Sequence, residues 1–197
     1  MNVALKHPRA TRAADGLDRW RFTVADIEAM VAAGILDEDE RVELIEGELV
    51  PMSPKGSRHE VLKVALNRLW QKACPDDLQI AQETTFRLSR DTYLEPDFVV
   101  YPARVGLTGI EGANVLLVVE VADTSLRYDR GRKARLYAQF GIRELWSIDA
   151  VKMTIRVFHD PSPEGYAPAQ DYKAADTVEP LVAPQVLALR LDRLKLT

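Results

Sequence analysis

The chain has little sulfur and little histidine to work with: one cysteine, Cys74, and three histidines, His7, His59 and His159, in 197 residues. A single thiol excludes an internal disulfide and any thiolate-rich zinc site. The histidines are too scattered to suggest a histidine metal cluster. Long apolar runs are missing as well. The longest, Val115–Val119, stops at Glu120, far short of the roughly 20 residues needed to cross a bilayer, so no membrane partner is expected. The N-terminal stretch "MNVALKHPRATRAADG" carries basic residues but no apolar block of signal-peptide length. It reads as a flexible arm, residues 1–20, of a cytoplasmic protein. No glycine-rich phosphate loop is present, which argues against built-in nucleotide hydrolysis.

Excess positive charge is also lacking. The formal net charge is −4, whereas proteins that hold nucleic acid usually present positive charge to displace the counterions condensed on phosphate. The distribution softens this. "DEDERVELIEGE" (37–48) is acidic, while Arg127, Arg130, Arg132, Lys133, Arg135 and Arg143 form a basic cluster, so a locally positive face is allowed.

What is present is ample: 47% hydrophobic and 28% charged residues, the composition of a globular protein with one sizeable core. Thr23 and Asp26 resemble a capping box, and Val24, Ile27, Met30 and Val31 recur at helical spacing until Gly34, predicting a helix over 24–33. "RVELIEGELVPM" has apolar-alternating arms about Glu46-Gly47 and predicts a hairpin over 41–52. After "SPKGS" breaks the chain, Val61, Leu62, Ala65, Leu66 and Leu69 stripe a longer helix that ends before Pro75. Three strand-like runs follow, "LQIAQETTFRLS", "EPDFVVYPA" and "VLLVVEVA", then a helix at 129–140 closed by Gly141, then the strand "ELWSID". Beyond these, "KMTIRVFHD" and "APQVLALRLDRL" read as further strands around a proline-rich loop. One α/β domain over residues 21–197 is expected.

Glu120 is the residue that demands an explanation. Its strand neighbours Leu116, Leu117, Val118, Val119 and Val121 are all apolar, so the strand belongs to the middle of a sheet. An unpaired buried carboxylate costs several kcal/mol, and Glu120 must therefore lie at the strand's open end or be neutralised. Asp97 in "EPDFVV" is a weaker signal, since Pro-Asp is common at strand starts and turns. Lys133 shares a helical face with Asp129, Leu136, Tyr137 and Phe140, opposite Arg132, Arg135 and Gln139. Leu136 and Phe140 must face the core, so Lys133 points inward and its stem can carry the ammonium to an acidic group. A structural salt bridge to Asp129 or Glu120 is one reading. The other is chemical: Mg²⁺ prefers oxygen ligands and takes one or two carboxylates, which Asp97 and Glu120 offer, and an adjacent lysine could orient an attacking water and offset charge on phosphorus.

The ordered set "VELIEGELVPMSP", "RHEVLKVALNRL", "EPDFVV", "LLVVEVADTS", "YDRGRKARLYAQFGI" and "RELWSID" resembles the Uma-two family of restriction-endonuclease-like proteins, a branch of the PD-(D/E)XK nuclease superfamily. The resemblance implies a restriction-endonuclease-like core, a central mixed β-sheet flanked by helices (αβββαβ), here preceded by the N-terminal helix and hairpin. It also implies a Mg²⁺ or Mn²⁺ site and hydrolysis of DNA phosphodiester bonds. Asp97 matches the PD aspartate, Glu120 the (D/E) position, and Lys133 the lysine this branch carries on the following helix. The superfamily's usual lysine position is Ala122. The Val121 backbone carbonyl would be the neutral metal ligand. Asp123 and Thr124 stand where the branch commonly has serine and proline.

Glu48 and His59 are further candidates in matching segments, each with a bland alternative as a surface or capping residue; Glu43 and Glu60 are weaker. Tyr137 reads as a core aromatic with a satisfied hydroxyl. Double-strand cleavage would need two active sites, which a homodimer would supply. The competing reading keeps the fold and drops catalysis, leaving a binding or regulatory module whose carboxylates and lysine form a structural ion-pair network.

Overall fold

A computed structural model describes residues 20–196. The arm expected over residues 1–20 lies outside the described residues except for Trp20. In chain order the elements are α1 (Val24–Ala32), β1 (Val42–Ile45), β2 (Glu48–Pro51), α2 (Ser57–Ala73), β3 (Leu78–Gln82), β4 (Phe86–Ser89), β5 (Thr92–Leu94), β6 (Phe98–Pro102) and β7 (Leu117–Ala122). Then come α3 (Leu126–Tyr128), a widened turn at Asp129–Lys133, α4 (Ala134–Gln139), β8 (Glu144–Asp149), β9 (Thr154–His159), the short β10 (Pro161–Ser162) and β11 (Gly165–Tyr166), and β12 (Gln170–Lys173). The chain divides into two compact units, the smaller holding residues up to Met52 together with Ser89–Leu94.

In the smaller unit the capping box forms as expected: the Asp26 N–H donates to Thr23 Oγ1 at 3.2 Å and the Thr23 N–H to Asp26 Oδ2 at 2.7 Å. β1 and β2 pair with Ile45 opposite Glu48. That leaves Glu46 and Gly47 as a two-residue turn with φ of 52° and 82°, the left-handed pair that suits the twist of a hairpin. β5 extends the ladder through Leu44–Tyr93. Val24, Ile27, Leu44 and Tyr93 form this unit's own apolar cluster.

The larger unit is built on a six-stranded sheet in the order β12-β9-β8-β7-β6-β3, with β7 and β8 parallel and the other pairs antiparallel. β7 lies in its interior and every residue from Leu117 to Ala122 is buried, as its apolar run requires. Leu62, Leu66 and Trp70 of α2 pack with Val119 and Val121 of β7, Phe98 and Val100 of β6 and Trp146 and Ile148 of β8. Side chains alternate across a strand, so the face that takes α2 is the Val119/Val121 face, and Glu120 turns to the other, toward the α3–α4 helix.

Two sequence expectations are corrected. "LQIAQETTFRLS" is two strands, because Glu83 takes a left-handed φ of 47° and breaks the run. "APQVLALRLDRL" makes only short 3₁₀ turns at Gln185–Leu187 and Leu191–Arg193, with one isolated bridge, Val178–Leu189. Leu187, Leu189 and Leu191 are nonetheless buried in the main core, so the alternating pattern reports burial without a ladder. Trp70 Nε1 donates to the Leu187 carbonyl at 3.0 Å, and buried Glu144 accepts the N–H groups of Leu181 and Val182 at 2.8 and 3.1 Å. These bonds hold the irregular C-terminal segment onto the sheet.

Candidate active site

Phe98 pairs with Val119, so Asp97, just before β6, and Glu120, in β7, both lie at the end of that ladder. Asp97 ends in a bend just before β6, and its Oδ2 accepts the Val121 N–H at 2.8 Å. Both carboxylates are buried, 3% exposed each. Each is therefore expensive unless compensated, and they are compensated from different helices.

Glu120 Oε1 accepts from Lys133 Nζ at 3.1 Å and from the Tyr137 hydroxyl at 2.6 Å. Lys133 is the last residue of the widened turn. The Ala134 N–H bonds the Asp129 carbonyl five residues back, a π-type turn of the kind often found at functional sites. Asp129 and Lys133 are buried together, while Arg127, Arg132, Arg135 and Gln139 remain exposed, as the helical wheel predicts. Ser125 Oγ donates to Asp129 Oδ2 at 2.6 Å, and the Lys133 ammonium lies 5.8 Å from the centre of the Tyr128 ring. Arg130 turns inward to Ser147 Oγ at 3.2 Å. The basic cluster is thus split between site, sheet and solvent.

Asp97 is compensated from the other side. His59, in the first turn of α2, places Nε2 2.9 Å from Asp97 Oδ1, and Lys55 Nζ lies 3.1 Å from the same oxygen. Burial alone would raise the Asp97 carboxyl; the hydrogen bond and charge of His59, then Lys55 and the Val121 N–H, outweigh it and bring it below the usual carboxylate range. The network continues outward. His59 Nδ1 meets Glu60 Oε1 at 3.0 Å, Lys63 Nζ meets Glu60 at 3.0 Å and Glu83 Oε1 at 2.7 Å, and Lys55 also bonds Glu83 Oε1. Burial works against the Lys63 charge, yet its bonds to Glu83 and Glu60 hold the ammonium above the usual lysine range.

The structure brings Asp97, Glu120, Lys133, Val121 and His59 together. His59 is buried and drawn to Asp97, not set at the surface, and Val121 reaches Asp97 through its N–H. Glu43 and Glu48 stand in the smaller unit, on β1 and β2, the first buried and the second half-buried. Lys55, Lys63 and Glu83 were not singled out from the sequence. Lys55 sits in the "SPKGS" break and Glu83 in what reads as continuous strand, so neither carries a local signal; Lys63 is missed because the buried face of α2 runs through His59, Leu62, Lys63, Leu66 and Trp70, while Val61 and Leu69 of the expected stripe are exposed. Tyr137 has the satisfied hydroxyl expected of it, but its acceptor is the site carboxylate.

Two buried carboxylates from neighbouring strands form an all-oxygen donor set that suits Mg²⁺ or Mn²⁺. Among the described residues no group of three or more histidine, cysteine, aspartate or glutamate side chains is arranged to hold a metal. Water and substrate would have to supply the remaining ligands, as Mg²⁺ commonly allows.

The family model described as "Putative restriction endonuclease", Uma2, matches residues 25–192. The chain belongs to the Uma2 family. Its fold is also that of a solved relative. A crystal structure of a "putative nuclease belonging to DUF820" from Anabaena variabilis superposes with a TM-score of 0.62 at 13% identity, covering 87% of this chain and 96% of that one. The type IIG restriction endonuclease BpuSI gives a TM-score of 0.38 at 16% identity over 58% of this chain and 13% of that one, too partial a likeness to bear on fold or function. No curated protein matches the chain. The central mixed sheet flanked by helices is the restriction-endonuclease-like architecture that the motifs implied. No helix among the described residues is long and apolar enough to cross a membrane.

Proposed function

We propose that this Uma2 protein is a Mg²⁺- or Mn²⁺-dependent endonuclease that hydrolyses DNA phosphodiester bonds. The observation that carries the reading is the convergence of Lys133 on Glu120, 3.1 Å away in a buried position, with Asp97 bonded to the N–H of the next residue, Val121. Asp97 and Glu120 would hold the divalent cation, with the Val121 carbonyl as neutral ligand. When bound, the cation supplies Lewis-acid polarisation of a phosphoryl oxygen and charge neutralisation. Lys133 orients the attacking water and offsets charge as it builds on phosphorus. Tyr137 fixes the rotamer of Glu120 through its hydroxyl, and the Val121 N–H fixes that of Asp97. The products are a 5′-phosphate and a 3′-hydroxyl. The exposed Arg127, Arg132 and Arg135 suit the phosphate backbone in a chain that is otherwise acidic. A cytoplasmic homodimer would bring two such sites to a duplex.

One observation favours the alternative, a catalytically inactive binding or regulatory module: both carboxylates already have partners within the chain, the Lys133 ammonium for Glu120 and the Lys55 ammonium with the His59 ring for Asp97. Plasmid nicking with Mg²⁺ or Mn²⁺ decides between them. Cleavage by the wild type that is lost in Asp97→Asn, Glu120→Gln and Lys133→Ala supports the nuclease. Cleavage that survives all three removes this site assignment, and a wild type that neither cuts DNA nor binds Mn²⁺ in calorimetry supports the module.

A further inference from the structure

Lys55 is shared between two carboxylates. Its ammonium lies 3.1 Å from Asp97 Oδ1 and also bonds Glu83 Oε1, and its side chain is only 13% exposed. Glu83 is held in place by its backbone as well as by its charge. It adopts a left-handed φ of 47°, a conformation a non-glycine residue keeps only when its surroundings enforce it. Its N–H donates to the carbonyl of Pro96, immediately before Asp97, at 3.1 Å. Lys63 pins the same carboxylate oxygen from α2 at 2.7 Å. The strained backbone therefore presents a second carboxylate beside Asp97, and a lysine on a flexible four-carbon stem spans the two.

A divalent cation and an ammonium cannot share Asp97 without repulsion. We propose that Lys55 is a tethered competitor for the divalent cation at Asp97, and that Glu83 is the seat its ammonium keeps when the cation takes Asp97. This rests on Asp97 being a metal ligand, as above, and adds that the site carries its own replaceable cation. The arrangement makes Glu83 a positioning residue that acts on the site through Lys55.

The test is Mn²⁺ binding by calorimetry, without DNA, for the wild type, Lys55→Met, Glu83→Gln and the double variant, each checked for folding by circular dichroism. Lys55→Gln replaces Lys55→Met if the latter does not fold. Lys55→Met is expected to bind Mn²⁺ about threefold to tenfold more tightly, since it removes the competitor and retains an apolar stem. Glu83→Gln is expected to bind about threefold more weakly, because Lys55 then rests on Asp97 alone. Simple charge effects would give the same two signs, so the double-mutant cycle decides. If Glu83 acts through Lys55, its substitution has no effect once Lys55 is gone. An unchanged or weaker affinity in Lys55→Met overturns the proposal, and so does a Glu83→Gln penalty that persists in full in the double variant. If neither the wild type nor any variant binds Mn²⁺, the metal reading of Asp97 falls with it; if the wild type binds and the cycle is additive, only the role of Lys55 falls.

Discussion

Tyr137 and Lys133 meet the same oxygen of Glu120, at 2.6 and 3.1 Å, from consecutive turns of one helix. The two donors are unequal. Lys133 brings the charge that offsets the buried carboxylate, and Tyr137 brings one hydroxyl. Tyr137→Phe should therefore cost about 1–2 kcal/mol of stability, the usual size of a lost buried hydrogen bond, and leave cleavage within about tenfold of the wild type. Lys133→Met should abolish cleavage. Urea unfolding and single-turnover nicking measure the two effects separately.

Gly56, the residue that caps the start of α2, is crowded by one side chain. A Cβ placed there would lie 1.8 Å from Asp123 Oδ2. The backbone is ordinary, with φ of −80°, so Gly56→Ala must swing the half-buried Asp123 carboxylate aside and puts a poorer residue at the helix start. It should destabilise the protein by about 1 kcal/mol, the low end of overpacking. Asp123→Gly should restore most of that loss in the double variant, measured as the shift in thermal midpoint.

Glu83 sets part of the acid limit of the fold. Burial raises its carboxyl, but hydrogen bonds from Lys55 and Lys63 outweigh burial and hold it below the ordinary glutamate value. A carboxyl depressed in the folded state binds its proton more tightly when unfolded. Its contribution is present above about pH 4.3 and is lost as pH falls through the folded value. Glu83→Gln should flatten the fall in stability below about pH 4.3, read from urea midpoints across the acid range.

Arg127 and Arg135 are exposed on the helix whose inner side delivers Lys133. If they contact phosphates, Arg127→Ala and Arg135→Ala should each lower the slope of log K against log salt by about 0.9 for a duplex, whatever its sequence. Equilibrium binding without Mg²⁺ or Mn²⁺ measures this. Unchanged slopes would place the DNA on another surface.

Much of the site was legible because it is written in local patterns. A charge inside an apolar strand needs a partner, and Lys133 lies on the same helical face as Leu136, so Glu120 and Lys133 could be paired from periodicity. Asp97 was readable only alongside them. The contacts that escaped join residues far apart in the chain: Lys55 to Glu83, and His59 to Asp97. No period links such pairs, and one member of each sits in a break or a kink. The widened turn at Asp129–Lys133 was equally silent, since its burial pattern differs from that of an α-helix by a single residue. The C-terminal leucines misled for a related reason, because alternation records which side chains are buried and cannot say whether the backbone finds a neighbouring strand.

The bond between Trp70 and the carbonyl of Leu187 spans 117 residues. Trp70 stands among the core residues that α2 lays on the sheet, and Val178, Leu187, Leu189 and Leu191 close over the same core. During synthesis, α2 and β6–β8 leave the ribosome long before the residues that cover them. The larger unit therefore seals its interior only when this late segment arrives, and until then the part of the core beside Trp70 that α2 leaves uncovered stays open to water.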